Sequence, residues 1–548
     1  MRPADRPAER ANPVRVMPRS LRSSRMRIPT TSPSFVDTRH GRFYVRSPFS
    51  GGEASVAEGN PMSPPVAVPR LQFRGGVAAL FVPFLVMLVG ILVLGANGLA
   101  LPEAFWPMVL LGLLVGLLLA RSQKEYVDAL IAGIASPMLA VILLAWFLAG
   151  VFGTMLNTTG VIEGLVWLAV SVGLTAAWVP LVTFLSAAVL SLSTGTSVGT
   201  ILAVTPILFP AGFAIGADPL FVVGAIIGGA FVGDNLAPVS DTTIVSAYSQ
   251  GTDVPKVVRS RLKYAAVAGA VTLAVYVVVG LAGSGGVGRG EVDAAPDGLV
   301  MLLAPALLVA LMVRQWHFVS ALLLSTAFGL ALGLVTGLLG WSDLLSVDAS
   351  TFTASGVVVD GMTGFVGIAV FTIFLMGMIG TFRAGGLIDW LIVRSRRLAR
   401  GARSAEVTMY LLALAVNALT TAGTPTMVML GPYVRRLGHA FRIAPWRRGN
   451  VLDAASTTII GILPYSVAVL IPFALVADTV RGADLEGFDA LHAVPYVVYC
   501  WALMLVFLVA VVTGWGRESM DEAGWEAERR VLEAEDQGEP AAPPDAER

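Results

Sequence analysis

Apolar stretches long enough to cross a lipid bilayer recur along this chain from Gly76 to Gly514. A membrane helix needs about 20 mostly apolar residues, and a chain built from many such stretches cannot bury them all in water. The composition agrees: 55% of the 548 residues are hydrophobic and 14% are charged, against about a quarter charged in soluble domains. A soluble enzyme is excluded. The chain reads as an all-α polytopic membrane protein with about 11–13 transmembrane segments, over 76–97, 104–120, 136–156, 161–177, 179–212, 219–246, 264–283, 298–313, 317–340, 362–382, 406–432, 450–477 and 495–514. Whether 179–212 and 406–432 are hairpins or full spans stays open.

The ends differ from the middle. Residues 1–74 carry many arginines (Arg2, Arg6, Arg10, Arg15, Arg19, Arg22, Arg25, Arg27) with Pro and Ser and no apolar period. They read as a disordered tail, with Met62 an alternative start; an arm for anionic lipid or a targeting peptide are other readings. Residues 516–548 form an acidic, solvated, helix-prone tail (Glu518, Asp521, Glu522, Glu526, Glu528). Basic loops hold Arg121 and Lys124, then Lys256, Arg259, Arg261 and Lys263, then Arg383 to Arg403, then Arg435 to Arg448. Acidic loops hold Glu291, Asp293 and Asp297, then Asp343, Asp348 and Asp360, then Asp478, Asp484, Glu486 and Asp489. Excess Lys and Arg marks the cytoplasmic face, so both termini are expected in the cytoplasm and the protein in the inner (plasma) membrane.

Lys plus Arg and Asp plus Glu each number 37, so nothing in the charge balance points to nucleic acid. Cys500 stands alone, which removes a disulfide framework. The histidines (His40, His317, His439, His492) sit in tails or at loop edges, and no metal cluster or resident cofactor is expected. A homodimer stays open.

The chain repeats itself. Phe147-Leu-Ala-Gly-Val-Phe-Gly-Thr154 matches Phe374-Leu-Met-Gly-Met-Ile-Gly-Thr381, 227 residues on; Gly160-Val-Ile-Glu163 faces Gly386-Leu-Ile-Asp389, and Gly195-Thr196 faces Gly423-Thr424. The first helix follows basic residues and the second follows acidic ones, so the two copies cross in opposite directions. The expectation is an inverted repeat, halves about 136–263 and 362–514, as in many secondary transporters.

Four apolar runs are interrupted: Ser193-Thr-Gly-Thr-Ser-Val-Gly-Thr200, Gly233-Asp-Asn-Leu-Ala-Pro-Val-Ser-Asp-Thr-Thr243, Thr420-Thr-Ala-Gly-Thr-Pro-Thr426 and Asp453-Ala-Ala-Ser-Thr-Thr458. Pro removes a backbone donor and Gly weakens the helix. The freed polar groups cannot face lipid, so broken or re-entrant helices around a buried site are expected. Asp234 and Asp241, seven apart, are expected on one helix face. A carboxylate inside the membrane costs roughly 2.5–3.5 kcal/mol even on the lenient scale and marks an ion or proton site. An exposed turn at Pro238 and Ser240 is the plainer alternative. Asp453 is expected at the corresponding break of the second half, with an interfacial N-cap as its alternative. Ion or proton binding is thus assigned to Asp234, Asn235, Ser240, Asp241, Thr242, Thr243 and Asp453. The breaks contribute Ser193, Thr194, Gly195, Thr196, Ser197, Gly423, Thr424, Ser456 and Thr457, whose hydroxyls suit Na⁺ or a carboxylate, or bond between packed helices. Asn157, Asn417 and Glu163 read as caps or interface residues.

At these residues the sequence resembles the NhaC-type Na⁺/H⁺ antiporters of the ion transporter superfamily, over roughly 75–515. Gly233 to Thr243 is similar to that family's signature and Ser193 to Thr200 to its Gly-Thr-Ser break. Asn235 stands where Lys is frequent and Val198 where Trp is usual. Asp453 and Pro464-Tyr465-Ser466 stand where the family has a Glu and Pro-Trp-Asn. The resemblance implies exchange of Na⁺ for H⁺, or of organic acids such as malate and lactate. From the residues themselves, cation/proton antiport at Asp241 aided by Asp234 is the expectation, with Na⁺ and H⁺ as cargo and the bilayer as surroundings. Na⁺- or H⁺-coupled organic-acid or amino-acid transport is the alternative. Arg383 and Arg435 lie at the edge of the second half, which favours the inorganic ion. No surface cluster of the kind a lipid-linked membrane enzyme needs is visible.

Overall fold

The computed structural model describes residues 71–537 apart from 98–101, 284–294, 315, 351, 478, 481–484 and 486. The tail before Leu71, with Met62 and His40, lies outside the described residues, as do Glu291, Asp293, Asp478, Asp484 and Glu486. Residues 71–74, expected in the tail, pack against the helices. Leu71 and Phe73 are buried, Phe73 pairs with Ala120, and the Leu71 amide donates to the Ala384 carbonyl at 3.1 Å.

The helices run α1 Phe81–Ala96, α2 Phe105–Leu119, α3 Gln123–Ile134, α4 Pro137–Thr158, α5 Val161–Ser171, α6 Val179–Thr194, α7 Ser197–Ala214, α8 Pro219–Leu236, α9 Asp241–Tyr248 and α10 Val254–Leu281. Then follow α11 Leu303–Val313, α12 Phe318–Thr336, α13 Trp341–Leu344, α14 Val357–Thr363, α15 Val366–Ala384, α16 Leu387–Ser395, α17 Ala402–Thr420, α18 Gly423–Ala440, α19 Pro445–Ile460, α20 Val467–Val476, α21 Ala490–Ala493, α22 Val498–Thr513 and α23 Glu522–Gln537. An exposed antiparallel hairpin, Ser346–Asp348 against Thr353–Ser355, joins α13 to α14. Among the described residues, eight helical stretches are long and apolar enough to cross a membrane, nine with the pair Ala490–Tyr496 and Val498–Thr513, which bends by 60°. Four shorter apolar helices accompany them, over Phe105–Leu119, Val161–Ser171, Asp297–Val313 and Val467–Val476. This is an all-α polytopic membrane protein with broken helices.

Stretches 179–212 and 406–432 are each two helices around a tight break. Gly195 ends α6 with φ 71°, a left-handed conformation in which a side chain is strained. Thr421 ends α17 the same way, with φ 48°. Equivalent points lie 226 residues apart: Gly160 and Gly386 open α5 and α16 in the left-handed region, Ser197 and Gly423 start α7 and α18, and Ser240 and Ser466 cap α9 and α20. Gly195 therefore corresponds to Thr421 and not, as the sequence alignment has it, to Gly423.

Packing repeats as well. The pairs α1–α2, α3–α15, α6–α8 and α7–α8 recur as α11–α12, α14–α4, α17–α19 and α18–α19. The halves interlock: α9 lies on α18 as α20 lies on α7, and α10 packs on α22. Like packing thus recurs between α1–α10 and α11–α22. Equal elements meeting in exchanged pairs are what an approximate two-fold produces, and the opposite loop charges set the copies in opposite directions.

The tail after Gly514 is not simply solvated. Glu528 on α23 receives Arg448 at 2.7 Å and Arg435 at 3.2 Å, and the Trp525 ring stacks on His439, centroids 5.2 Å apart. Burial pushes the Glu528 carboxyl up, but the hydrogen bonds and charges of Arg448 and then Arg435 outweigh it and leave it below the usual carboxylate range.

Candidate functional site

Three of the four expected breaks, at 193–200, 233–243 and 420–426, converge on one cavity of about 540 Å³, and the fourth segment, 453–458, reaches it as part of the continuous helix α19. Its wall takes Thr196 and Ser197 from the first break, Thr420 to Pro425 from the third, and Asp234, Asp241, Thr242, Ser456 and Thr457 from the others. The starts of α7, α9, α18 and α20 all border it, bringing the positive ends of four helix dipoles together.

Asp234 and Asp241 do not share a helix face. Asp234 is in the last turn of α8, Pro238 ends that helix by lacking a donor, and Asp241 opens α9 after the 237–240 break. Asp234 is 6% exposed. Its Oδ2 accepts from Ser197 at 2.7 Å, and its Oδ1 from Ser240 at 2.8 Å and Thr242 at 3.3 Å. Three hydroxyls on a buried carboxylate make a compact oxygen cage. Asp241 is exposed into the cavity, and its Oδ2 accepts from Thr424, at the start of α18, at 2.6 Å.

Behind the wall lies a second polar layer. Asp453 is 0% exposed and sits inside the continuous helix α19, not at a break; the break of that half follows at 461–466. By the 226-residue register it faces Ile227, and Asp234 faces Ile460, so the two carboxylates are not counterparts. Asp453 Oδ2 pairs with Arg261 at 2.8 Å, both side chains fully buried, and accepts from Asn235 Nδ2 at 2.9 Å. Asn235 Nδ2 also reaches Thr457 at 3.5 Å. Arg261 further donates to Thr243 at 3.0 Å, to Asn450 at 2.9 Å and to the Asn235 carbonyl. Asp453 Oδ1 and Asn235 Oδ1 have no partner.

The sequence places Arg261 in a cytoplasmic loop; the structure turns it into the protein from α10. Arg447 and Arg448, likewise assigned to a loop, are buried, Arg447 on Glu406 at 2.9 Å. The signal available was the position of Arg261 beside a long apolar run, which does not say whether the side chain points out or in.

The remaining residues divide. Ser193 is exposed and bonds back to the Val189 carbonyl at 2.9 Å. Thr194 bonds back to Leu190 at 3.0 Å and meets Thr200 at 3.5 Å, as Thr420 meets Thr426 at 2.8 Å in the other half. Neither Ser193 nor Thr194 lines the cavity. Thr196 caps α7 through the Gly199 amide at 3.2 Å. A Cβ on Gly195 would lie 2.9 Å from the Ser240 amide nitrogen, so the first break needs glycine to pack on the second. A Cβ on Gly423 would meet Ser456 at 3.3 Å and Thr242 at 3.7 Å. Asn417, read as a cap, donates to Ser456 at 2.9 Å. His317 at the start of α12 and Thr372 on α15 also line the cavity and were not singled out in the sequence. Among the described residues no group of three or more His, Cys, Asp or Glu could hold a metal.

A polytopic helical protein, made of two like halves with paired broken helices around a shared polar cavity, has the build of a secondary transporter. The Na⁺/H⁺ antiporter family model matches residues 53–281 and 294–515, so the chain belongs to that family. It is 30% identical to the malate-2H⁺/Na⁺-lactate antiporter of Bacillus subtilis over 31% of this chain and 36% of that one. It is 21% identical to the Na⁺/H⁺ antiporter NhaC of Alkalihalophilus pseudofirmus over 72% of this chain and 84% of that one. With the arginine/ornithine antiporter ArcD of Halobacterium salinarum it shares 23% over 62% and 72%.

Proposed function

We propose that this transporter exchanges Na⁺ for H⁺ at Asp234 and Asp241, in the plasma membrane with both termini in the cytoplasm. The observation that carries the reading is the set of hydroxyls from Ser197, Ser240 and Thr242 closing on the Asp234 carboxylate at 2.7–3.3 Å. With the carboxylate charged, those hydroxyls donate to it. When Na⁺ arrives they turn lone pairs to the cation, and Asp234 supplies the charge. A proton neutralises the same oxygens. Either occupant spares the protein from moving a bare carboxylate past its apolar barrier, at a cost of about 2.5 kcal/mol or more, so the empty charged state is the one that cannot cross. Asp241, exposed in the cavity and held by Thr424, is the group an entering cation meets first.

Exchange then occurs as the two halves move about the site. The Arg261–Asp453 pair keeps its charges compensated within the rear layer and leaves the net negative charge on the cavity side. The names of the malate/lactate and arginine/ornithine relatives support coupled transport of an organic solute as a second reading. No Lys or Arg is among the described wall residues, which weighs against an organic anion.

The test is reconstitution. In proteoliposomes an outward Na⁺ gradient should drive proton entry with no organic solute present, and each unit fall in pH below the site's pKa should raise the apparent Na⁺ constant about tenfold for one-for-one competition. Proton flux that requires malate, lactate or an amino acid would overturn the reading.

A further inference from the structure

A cavity of about 540 Å³ falls within the range of about 300–1,000 Å³ that holds organic ligands. Beyond the carboxylates its wall is largely hydrocarbon, with Val141 and Ile142 from α4, Phe318 from α12, and Leu375 and Met376 from α15. An inorganic ion gains nothing from such a wall; an alkyl chain does.

The sign of the ligand's charge follows from the same wall. Asp234 and Asp241 border the cavity, His317 is the basic side chain among the described wall residues, and Arg261 is held behind the wall by Asp453. An organic anion would sit beside two carboxylates with no Lys or Arg to receive it. A cation meets Asp241 directly, in a cavity that Phe231 and Phe318 also line.

We propose that the cavity also binds a small organic ammonium ion, with its charged head at Asp241 and its hydrocarbon body against α4, α12 and α15. This rests on the reading of Asp234 and Asp241 as the cation site, and it gives the site a second class of cargo that competes with Na⁺ for Asp241.

Calorimetric titration of the purified full chain in Na⁺-free detergent buffer tests it. The probes are methylammonium, ethylammonium, propylammonium and butylammonium chlorides, with sodium-free butyrate as the anion of matching length. Affinity for the wild-type protein should climb about fourfold per added methylene as each is buried, and butyrate should not bind. Asp241→Asn should weaken butylammonium at least tenfold. If that variant fails to fold, the wild-type series decides by itself. Affinity that is flat along the series, or butyrate binding more tightly than butylammonium, overturns the proposal. Na⁺ titrated into the same preparations separates the two readings. If Na⁺ binds and the amines do not, this inference fails and the Na⁺/H⁺ reading stands. If butylammonium binds through Asp241 and Na⁺ neither binds nor competes, the Na⁺/H⁺ reading fails and the ammonium site stands.

Discussion

Thr424 donates a 2.6 Å hydrogen bond to the carboxylate of Asp241, from 183 residues further along the chain. Thr424 starts α18 in the second half and Asp241 starts α9 in the first, so two helix N-termini from opposite halves are tied at the cavity wall. Any motion of one half against the other at this point must stretch or remake this bond.

Removing it should be felt in binding. Thr424→Val is expected to weaken Na⁺ about tenfold, since a hydrogen bond to a charged group contributes about 1.5–3 kcal/mol. Thr424→Ser, which keeps the hydroxyl, should restore most of it. Competition of Na⁺ against pH in proteoliposomes measures both. Equal affinity in the Val and Ser variants would remove the role given to Thr424.

Asp234→Asn should abolish exchange and leave the protein folded in the membrane. The amide has nearly the shape of the carboxylate but carries no charge for Na⁺ and takes up no proton. Asp241→Asn should also abolish exchange, whereas Asp521→Asn, on the exposed tail, should exchange normally. The measurement is ²²Na⁺ uptake against an imposed pH gradient, with monodispersity in detergent as the check on folding. Wild-type uptake by the Asp234→Asn protein would refute the assignment.

The Arg261–Asp453 pair should behave as a buried ion pair. Arg261→Met leaves Asp453 charged and uncompensated, and breaking such a pair costs about 3–5 kcal/mol. The double variant Arg261→Met with Asp453→Leu should recover much of that loss, because the desolvation of both charges disappears with them. Thermal unfolding in detergent, run as a double-mutant cycle, reads the coupling. Simple additivity would mean that the two side chains act independently.

Docking of the tail helix should depend on pH. The Glu528 carboxyl lies below its ordinary range in the folded protein, so its contribution is fully present above the unfolded value near 4.3 and is lost as the pH falls through the lower folded value. Glu528→Gln should remove this acid-sensitive part and free α23 from Arg448 and Arg435. Hydrogen exchange along 522–537, followed from about pH 6 to pH 3, should show protection falling in the wild type, and already low in the variant across the range.

Membrane class, repetition, three of the four breaks and the family were legible because each is a property of local sequence. Hydropathy over a span, Gly and Pro inside an apolar run and the offset between like motifs need no knowledge of neighbours. The hydroxyl and carboxylate residues around Asp234 were legible for the same reason: polar groups that persist inside apolar sequence must have partners. What tertiary structure decided is which partners. Asp453 looks like the second-half counterpart of Asp234, but one helix register places it behind the wall, on Arg261. Arg261 and Arg447 read as loop charges, because a hydropathy pattern registers an arginine near a helix end without registering its direction. Gly195 aligns with Gly423 by residue type, yet it corresponds to Thr421, because the left-handed helix end and not the glycine is what the two halves share. Sequence determined which residues had to leave the lipid. Contacts between residues about 190 or more positions apart, such as Arg261 with Asn450 and Asp453, determined which of them line the cavity and which neutralise one another. That choice is made by the packing of one half on the other, and no local pattern encodes it.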